Sequence, residues 1–213
     1  MSSYHVGLDL GQSSDYTAIA IVEHVDTALN VRHLRRFPLG TTYPVIVEEV
    51  AEMISKIPVT PKLVVDATGV GRPVVDLLRA RGLRLNAVTI TGGDTATHDG
   101  MNWRVPKRDL VSAVAVGLQT GRLKIAANLP EAATLTRELL NFKVTIDLKT
   151  AHDSYSAWRE SVHDDLVLAV ALSVWSANQF PKRKVFPYPC SGPRTRIPTM
   201  GSRTPGNGTL RSW

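Results

Sequence analysis

Three groups of aspartates lie where an apolar stretch of the chain begins or ends. Asp9 ends the apolar run in HVGLDL, Asp66 ends KLVVD, and Asp164 and Asp165 open DDLVLAVALSVW. Acidic side chains are normally kept at the solvated surface, because burial of an unpaired charge is costly. A divalent cation bound by all of them would offset that cost. The pattern therefore predicts a carboxylate metal site assembled from three separate parts of the chain.

The residue types also indicate which metal and which reaction to expect. Carboxylate oxygens are hard ligands that suit Mg²⁺ or Mn²⁺ better than zinc. Ligands in open α/β sheets gather at the carboxyl ends of strands, so Asp9 and Asp66 would face one crevice if their strands are neighbours. Two ions about 3.5–4 Å apart activate a water and stabilise the leaving oxygen of a phosphodiester. We therefore predict hydrolysis of a nucleic-acid backbone with two bound ions.

Each acidic position also has a purely structural explanation. Asp9 on its own is typical of a turn after a strand, and Asp66 before Ala-Thr-Gly fits an Asx turn. One of Asp164 and Asp165 fits the N-cap of the following helix, which is favourable without any catalysis. Separate structural explanations become less convincing when the three groups of aspartates are considered together. Two alanines in that helix permit close packing on the sheet, which would bring its acidic end to the strand ends.

The hydrophobic pattern predicts one α/β domain with a mixed sheet flanked by helices. Alternating or continuous apolar runs predict strands, and apolar residues at helical spacing predict helices. Short turns between the first three strands favour an antiparallel meander, and the later strands alternate with helices, as in a parallel arrangement. Residues 91–105 are expected to form a polar, glycine-rich loop. The predicted strands are 4–10, 17–25, 30–39, 62–66, 85–90, 123–126 and 142–148, and the predicted helices are about 43–57, 73–82, 107–119, 131–140 and 164–179.

Length and composition fit one globular domain. The chain has 213 residues, of which 43% are hydrophobic, enough for one sizeable core. Cys190 is the single cysteine, which excludes an intramolecular disulfide and fits a reducing compartment. The N-terminus lacks the basic and apolar regions of a signal peptide, and the longest apolar stretch, 166–175, is too short to span a bilayer. We therefore expect a cytoplasmic protein that does not associate with a membrane.

The net charge of +6 is concentrated near the C-terminus. Residues 181–213 contain seven Lys or Arg, six Pro and no Asp or Glu, whereas residues 1–180 contain 18 basic and 19 acidic residues. Such a segment buries too little apolar surface to fold. We predict a folded domain over 1–180 and a basic, disordered tail over 181–213. The tail is interpreted equally well as an arm that attracts phosphate and as a solubilising linker or the remnant of a junction to another module.

Three segments together resemble the nuclease domain of tailed-phage terminase large subunits. They are GLDLGQSSDYTAIAIVE, VVDATGVGRPVVDLL and HDDLVLAVALSVW, and HDDLVLA is the most specific of them. The stretch VPKRDLVSAVAVGLQTGRLKI, at 105–125, is similar to the segment that those domains carry between their second and third acidic motifs. The resemblance covers about residues 4–180.

The resemblance implies an RNase H-like fold and a Mg²⁺- or Mn²⁺-dependent endonuclease that cuts concatemeric double-stranded DNA during genome packaging. It implies that the metal ligands are Asp9, Asp66 and one of Asp164 and Asp165, with Asp165 preferred. The expected partners are double-stranded DNA and a packaging ATPase, small terminase or portal, in the host cytoplasm if a phage encodes the chain. Terminase large subunits place an ATPase motor before the nuclease, but this chain has no G-x-x-x-x-G-K-[ST] phosphate loop. It is therefore interpreted as an isolated nuclease domain or as a protein whose motor is encoded separately.

Several further side chains are weaker candidates for the site. Asp15 would reach a metal-bound water, and His163 would orient a water or contact a phosphate. Both are explained as well by a surface turn and by packing before a helix. In and after the 91–105 loop, Trp103 would stack on a nucleotide, and three basic residues would pair with phosphates. These basic residues are Arg104, Lys107 and Arg108.

Three other functions compete with a packaging nuclease. A Holliday-junction resolvase would use the same fold and metals on branched DNA. A non-catalytic DNA-binding or assembly module would use the basic tail, with the acids serving only structure. Residues 7–23 also resemble the first phosphate-binding hairpin of the actin, Hsp70 and sugar-kinase superfamily, but that architecture needs two such domains and the predicted domain provides one.

Overall fold

The computed structural model describes residues 2–11, 15–69, 71–141 and 164–180. In these ranges, a meander of three strands is followed by helices and strands that alternate up to the fourth helix, except that the fifth, sixth and seventh strands are consecutive. The predicted strand at 142–148, His163 and the predicted tail at 181–213 lie outside the described residues. The strands are β1 (Ser3–Asp9), β2 (Ala18–Val25), β3 (Ala28–Arg36), β4 (Lys62–Asp66), β5 (Leu85–Thr91), β6 (Thr97–Asp99), β7 (Asn102–Pro106) and β8 (Leu123–Ile125), and the helices are α1 (Tyr43–Ser55), α2 (Gly71–Ala80), α3 (Lys107–Gln119), α4 (Ala132–Asn141) and α5 (Asp165–Gln179).

The described strands form one mixed sheet in the order β6-β7-β5-β4-β1-β2-β3-β8. Strands β1, β2 and β3 pair antiparallel, whereas β4 pairs parallel to β1 and β5 pairs parallel to β4. This confirms the predicted mixed sheet of a meander followed by parallel strands. Because β1, β3, β4, β5 and β7 run in the same direction, their carboxyl ends all lie at one edge of the sheet, where active sites of α/β sheets are usually found.

The sheet separates two apolar cores. On one face, α1 and α2 cover a cluster that includes Val6 and Leu8 of β1 and Val65 of β4. On the other face, α3, α4 and α5 pack on a cluster that includes Val64 of β4 and Ala18 of β2. Successive residues of a strand point to opposite faces. Asp9 and Asp66, which follow Leu8 and Val65, therefore point to the face covered by α5.

Helix α5 packs directly on β1. A Cβ atom added to Gly7 would overlap the backbone oxygen of Ala169, so only glycine permits this approach. The Ser173 hydroxyl donates to the carbonyl oxygen of Ala20 in β2 at 3.1 Å, and the Ser176 hydroxyl lies 2.8 Å from Nδ1 of the buried His5. Ala169, one of the two alanines predicted to permit close packing of this helix on the sheet, lies at this contact. In the described part of the chain, no helix combines the length and hydrophobicity needed to cross a bilayer.

The 91–105 segment, predicted to be a loop, contains a β-hairpin. Its strands β6 and β7 pair antiparallel, with His98 opposite Trp103, and β7 extends the sheet beyond β5. The prediction was wrong because β6 is only three residues long and fully exposed, so it carries no apolar alternation. Gly100, with a φ of +57°, makes the turn between the two strands.

Candidate active site

Asp9 and Asp66 end adjacent parallel strands at the same edge of the sheet. Leu8 pairs with Val65, so each aspartate follows one residue after this pair. Both are buried, with 8% of Asp9 and 9% of Asp66 exposed. They are therefore held side by side, on the face of the sheet that α5 covers.

The first turn of α5 brings further carboxylates to the same place. Helix α5 runs antiparallel to β1, because Ser176 contacts His5 and Ala169 contacts Gly7. Because earlier residues of α5 lie beside later residues of β1, the first turn of α5 lies near Asp9 at the end of β1. Asp165 is 6% exposed, and Asp164 immediately before it is partly exposed.

Electrostatic interactions show that these carboxylates are neighbours. The pKa of Asp9 is raised well above its usual value, first by burial and then by the negative charges of Asp66, Asp165, Asp164 and Asp15, in decreasing order. Burial and like charges both disfavour the ionised form. The chain therefore maintains a concentration of buried negative charge that a bound cation or a proton would relieve.

The carboxylates do not form a closed ligand set. Among the residues that the structure describes, no three His, Cys, Asp or Glu side chains form a group that could hold a metal ion as they stand. The donor set consists of hard carboxylate oxygens, which fits Mg²⁺ or Mn²⁺.

The loop after β4 fixes the carboxylate of Asp66. The backbone N–H of Thr68 donates to Oδ1 of Asp66 at 2.8 Å, which is the Asx turn that the sequence allowed. The Thr68 hydroxyl in turn accepts a hydrogen bond from the backbone N–H of Ile90 at 2.9 Å, which ties this turn to β5. The turn and a metal-binding role are compatible, because a carboxylate has two oxygens.

The start of α5 is capped by Glu138, a residue that was not predicted from the sequence. Asp164, one of the two residues predicted as candidates, occupies the N-cap position but makes no side-chain capping hydrogen bond. Instead, Oε2 of Glu138 in α4 accepts hydrogen bonds from the backbone N–H groups of Leu166 at 3.0 Å and Val167 at 3.1 Å. Glu138 lies 28 residues before Leu166 in the chain, and nothing in the sequence around α5 indicates that it supplies the cap.

The buried position of Glu138 also raises the pKa of its own carboxyl group. It is 5% exposed, and its pKa is raised from 4.5 to about 7, first by burial, with a further contribution from the charge of Asp165. The two backbone N–H groups and the guanidinium of Arg36 partly offset this rise. Arg36 ends β3 and pairs with Ala18, which in turn pairs with Asp9, so it lies at the same sheet edge as the aspartates.

The weaker acidic candidates have different outcomes. Asp15 is exposed and acts on Asp9 only as the smallest of the four charges that raise its pKa. It therefore lies near the carboxylates without sharing their burial. His163 falls outside the described residues, so its role stays a prediction.

The three basic candidates lie near the carboxyl end of β7. Lys107 and Arg108 begin α3 directly after β7, at the sheet edge that carries the aspartates, and Arg104 is exposed within β7. The Arg108 guanidinium binds Asp94, with Nη1 2.6 Å from the carboxylate and a second hydrogen bond to the backbone oxygen. It therefore braces the loop after β5.

The prediction that Trp103 stacks on a nucleotide is wrong. Trp103 is 8% exposed and packs edge-to-face with Trp175 and Phe180, at ring-centroid distances of 5.3 and 5.7 Å. The ring of His98 stacks on it at 4.3 Å. Along β7, Trp103 lies between two exposed residues, so its side chain points to the opposite, buried face of the strand. Its indole is part of the core beneath α5. Trp175 is buried in the same core.

The central sheet and its edge of buried carboxylates define an RNase H-like domain. The order β3-β2-β1-β4-β5, with the first three strands antiparallel, is extended by β8 on one side and by the β6–β7 hairpin on the other. Residues 6–174 match the family model described as the terminase RNaseH-like domain. The chain belongs to this family. Among curated proteins, no sequence matches it.

Solved structures with a similar fold are nucleases of viral terminases. The large terminase nuclease from thermophilic phage G20c is 20% identical, with a TM-score of 0.58 and coverage of 84% of this chain and 83% of that chain. The same nuclease is also solved with bound magnesium and with bound zinc. The human cytomegalovirus terminase nuclease domain, soaked with Mn and bound to an inhibitor, is 16% identical, with a TM-score of 0.52 and 82% coverage of each chain. The large terminase of a second thermophilic bacteriophage, in complex with ADP, is 16% identical, with a TM-score of 0.54, and the match covers 83% of this chain but 39% of that one.

Proposed function

We propose that this chain is a divalent-metal-dependent endodeoxyribonuclease that cuts double-stranded, concatemeric viral DNA during genome packaging. The observation that carries the proposal is the crowding of buried carboxylates around Asp9, whose pKa is raised by its burial and by the charges of Asp66, Asp165 and Asp164. Strongly perturbed carboxylates at the carboxyl ends of strands are a mark of a functional site. Membership in the terminase RNaseH-like family supports the choice of reaction.

In the proposed site, Asp9, Asp66 and Asp165 hold two Mg²⁺ or Mn²⁺ ions, and Asp164 contributes negative charge beside them. Bound divalent ions supply activation of a water and neutralisation of charge on the phosphodiester in the transition state. The protein contributes fixed positions for the carboxylates, through the Asx turn at Asp66 and the close packing of α5 on β1. The similar nucleases solved with magnesium, with zinc and after a Mn soak support a site for divalent cations.

The remaining parts of the proposal concern DNA and partners. Arg104 and Lys107 are proposed to bind phosphates beside the cleavage site, with a salt-dependent contribution to affinity. The tail at 181–213, with seven basic residues, is proposed to contact DNA or a partner. The similar large terminase solved with ADP supports association of this domain with a packaging ATPase. We further propose a small terminase and a portal as partners, and the host cytoplasm as the location.

The proposal is tested by incubating the purified chain with supercoiled and linear duplex DNA in Mg²⁺, in Mn²⁺ and with chelator. Cleavage is expected only with metal, and Asp9→Asn, Asp66→Asn and Asp165→Asn are each expected to abolish it. Asp76→Asn is the matched control, because Asp76 lies on α2 with 78% of its side chain exposed. A variant of the set that retains full metal-dependent activity removes that residue from the site. Preference for a four-way junction would favour a resolvase, and intact DNA under all conditions would favour a non-catalytic module.

A further inference from the structure

Glu138 holds the first turn of α5 from outside that helix. A helix leaves its first backbone N–H groups without partners inside the helix, and a side chain of the N-cap residue usually binds them. In α5 the N–H groups of Leu166 and Val167 both donate to Oε2 of Glu138, at 3.0 and 3.1 Å. The capping side chain therefore comes from α4, and Asp164 does not cap its own helix.

Arg36 connects this cap to the strands. Its Nη1 lies 3.8 Å from Oε1 of Glu138, and its Nε lies 3.7 Å from a carboxylate oxygen of Glu131, immediately before α4. Its guanidinium also lies 4.4 Å from the ring centroid of Tyr16, just before β2. One arginine at the end of β3 thus lies within ion-pair distance of Glu138 in α4 and of Glu131 just before that helix. The cap of α5 is consequently tied to the sheet edge where Asp9 lies.

The geometry points to Glu138 as a positioning residue that sets the place of Asp165 relative to Asp9 and Asp66. This inference rests on the proposed function, because it assigns Glu138 to the support of the proposed metal ligands. Asp165 immediately precedes the two residues whose amides Glu138 binds, so movement of that turn moves its carboxylate.

Glu138 does not touch the reacting atoms in this scheme, so its effect is on metal binding. Residues that orient metal ligands without binding the metal typically change metal affinity by about 10- to 100-fold when mutated. We expect Glu138→Ala to weaken Mn²⁺ binding within this range. Glu138→Gln keeps an oxygen that accepts both amides, so it is expected to bind Mn²⁺ within about threefold of the unmodified protein.

The experiment measures Mn²⁺ binding by calorimetry and the Mn²⁺ concentration for half-maximal cleavage, on the full chain. Glu48→Ala is the matched control, because Glu48 is a glutamate whose carboxylate binds Arg81 on the opposite face of the sheet. It is expected to leave both values unchanged. Thermal unfolding of every variant establishes that it is folded, and Glu138→Gln preserves the size of the side chain where Glu138→Ala does not.

Amide hydrogen exchange of Leu166 and Val167 in the metal-free protein separates this inference from the proposed function. Faster exchange in Glu138→Ala, restored toward normal in Glu138→Gln, is expected whether or not metal binds. Unchanged exchange and unchanged Mn²⁺ binding in Glu138→Ala would overturn the positioning role. An equal loss of Mn²⁺ affinity in Glu138→Gln and Glu138→Ala would also overturn the positioning role. The charge of Glu138, and not its hydrogen bonds, would then be responsible for Mn²⁺ binding. If the unmodified protein binds no Mn²⁺ but the exchange result holds, the proposed function fails and the cap stands.

Discussion

Gly7 of β1 lies against the backbone of Ala169 of α5, with no room for a side chain between them. This contact sets the distance between the strand that ends at Asp9 and the helix that begins at Asp165. Since the atom opposing Gly7 is a backbone oxygen, a larger residue cannot be accommodated by a change of rotamer.

Gly7→Ala is therefore expected to destabilise the protein and to weaken Mn²⁺ binding together. Overpacking of a tight core contact typically costs about 1–3 kcal/mol, which corresponds to a fall in Tm of roughly 2–4 °C per kcal/mol for a domain of this size. Thermal unfolding and calorimetry measure the two effects. Gly92→Ala is the control, because an added Cβ there meets no atom within 4 Å. Equal behaviour of the two variants would show that α5 does not depend on the contact.

Asp9→Asn is expected to stabilise the metal-free protein while removing stabilisation by metal. Burial and four neighbouring carboxylates disfavour the ionised form of Asp9, and an amide of the same size carries no charge to repel them. Melting curves with chelator and with Mn²⁺ measure both effects. In the unmodified protein, Mn²⁺ should raise the Tm by mass action, whereas Asp9→Asn should show a higher Tm in chelator and little response to Mn²⁺. Asp76→Asn should behave as the unmodified protein does.

Stability of the metal-free protein is expected to fall as the pH rises from about 4.5 to above 7. The pKa of Glu138 is raised from 4.5 to about 7, so folding favours its protonated form. This contribution is fully present below the unfolded pKa and is lost as the pH rises through the folded pKa. A shift of this size corresponds to roughly 3 kcal/mol. The raised pKa of Asp9 acts in the same direction.

The corresponding measurement is chemical denaturation at several pH values in chelator, for the unmodified protein and for Glu138→Gln. Glutamine does not titrate, so the variant should show a flatter profile in this window. An identical slope in both proteins would mean that Glu138 does not titrate there.

Lys107→Ala and Arg104→Ala are each expected to weaken binding to duplex DNA regardless of its sequence, because both are proposed to contact phosphates. Removal of one phosphate contact lowers the slope of log affinity against log salt by about 1. Arg108→Ala should have a smaller effect on the slope than Arg104→Ala, since the Arg108 guanidinium already binds Asp94. Arg81→Ala, which breaks the pair with Glu48, is the control. Titrations should use Asp9→Asn, so that cleavage does not interfere.

Local patterns predicted the central part of the fold, but not its contacts between distant residues. Asp9 and Asp66 end their strands as the apolar runs indicated, because a strand with both faces covered reads as continuous hydrophobic sequence. Glu138 could not be recognised in this way, since its partners are backbone amides that carry no sequence signal. Trp103 was assigned to the surface because the surrounding polar residues conceal an inward-facing position in a short hairpin.

The packing of Trp103 against Trp175 links the outer strands of the sheet to α5. Lys107 follows four residues after Trp103, at the beginning of α3, and Asp165 lies in the first turn of the helix that carries Trp175. The outer hairpin therefore cannot slide independently of that helix without breaking a buried aromatic contact. A phosphate bound by Lys107, as proposed, would therefore lie at a set distance from the proposed metal ligand Asp165 at the start of α5.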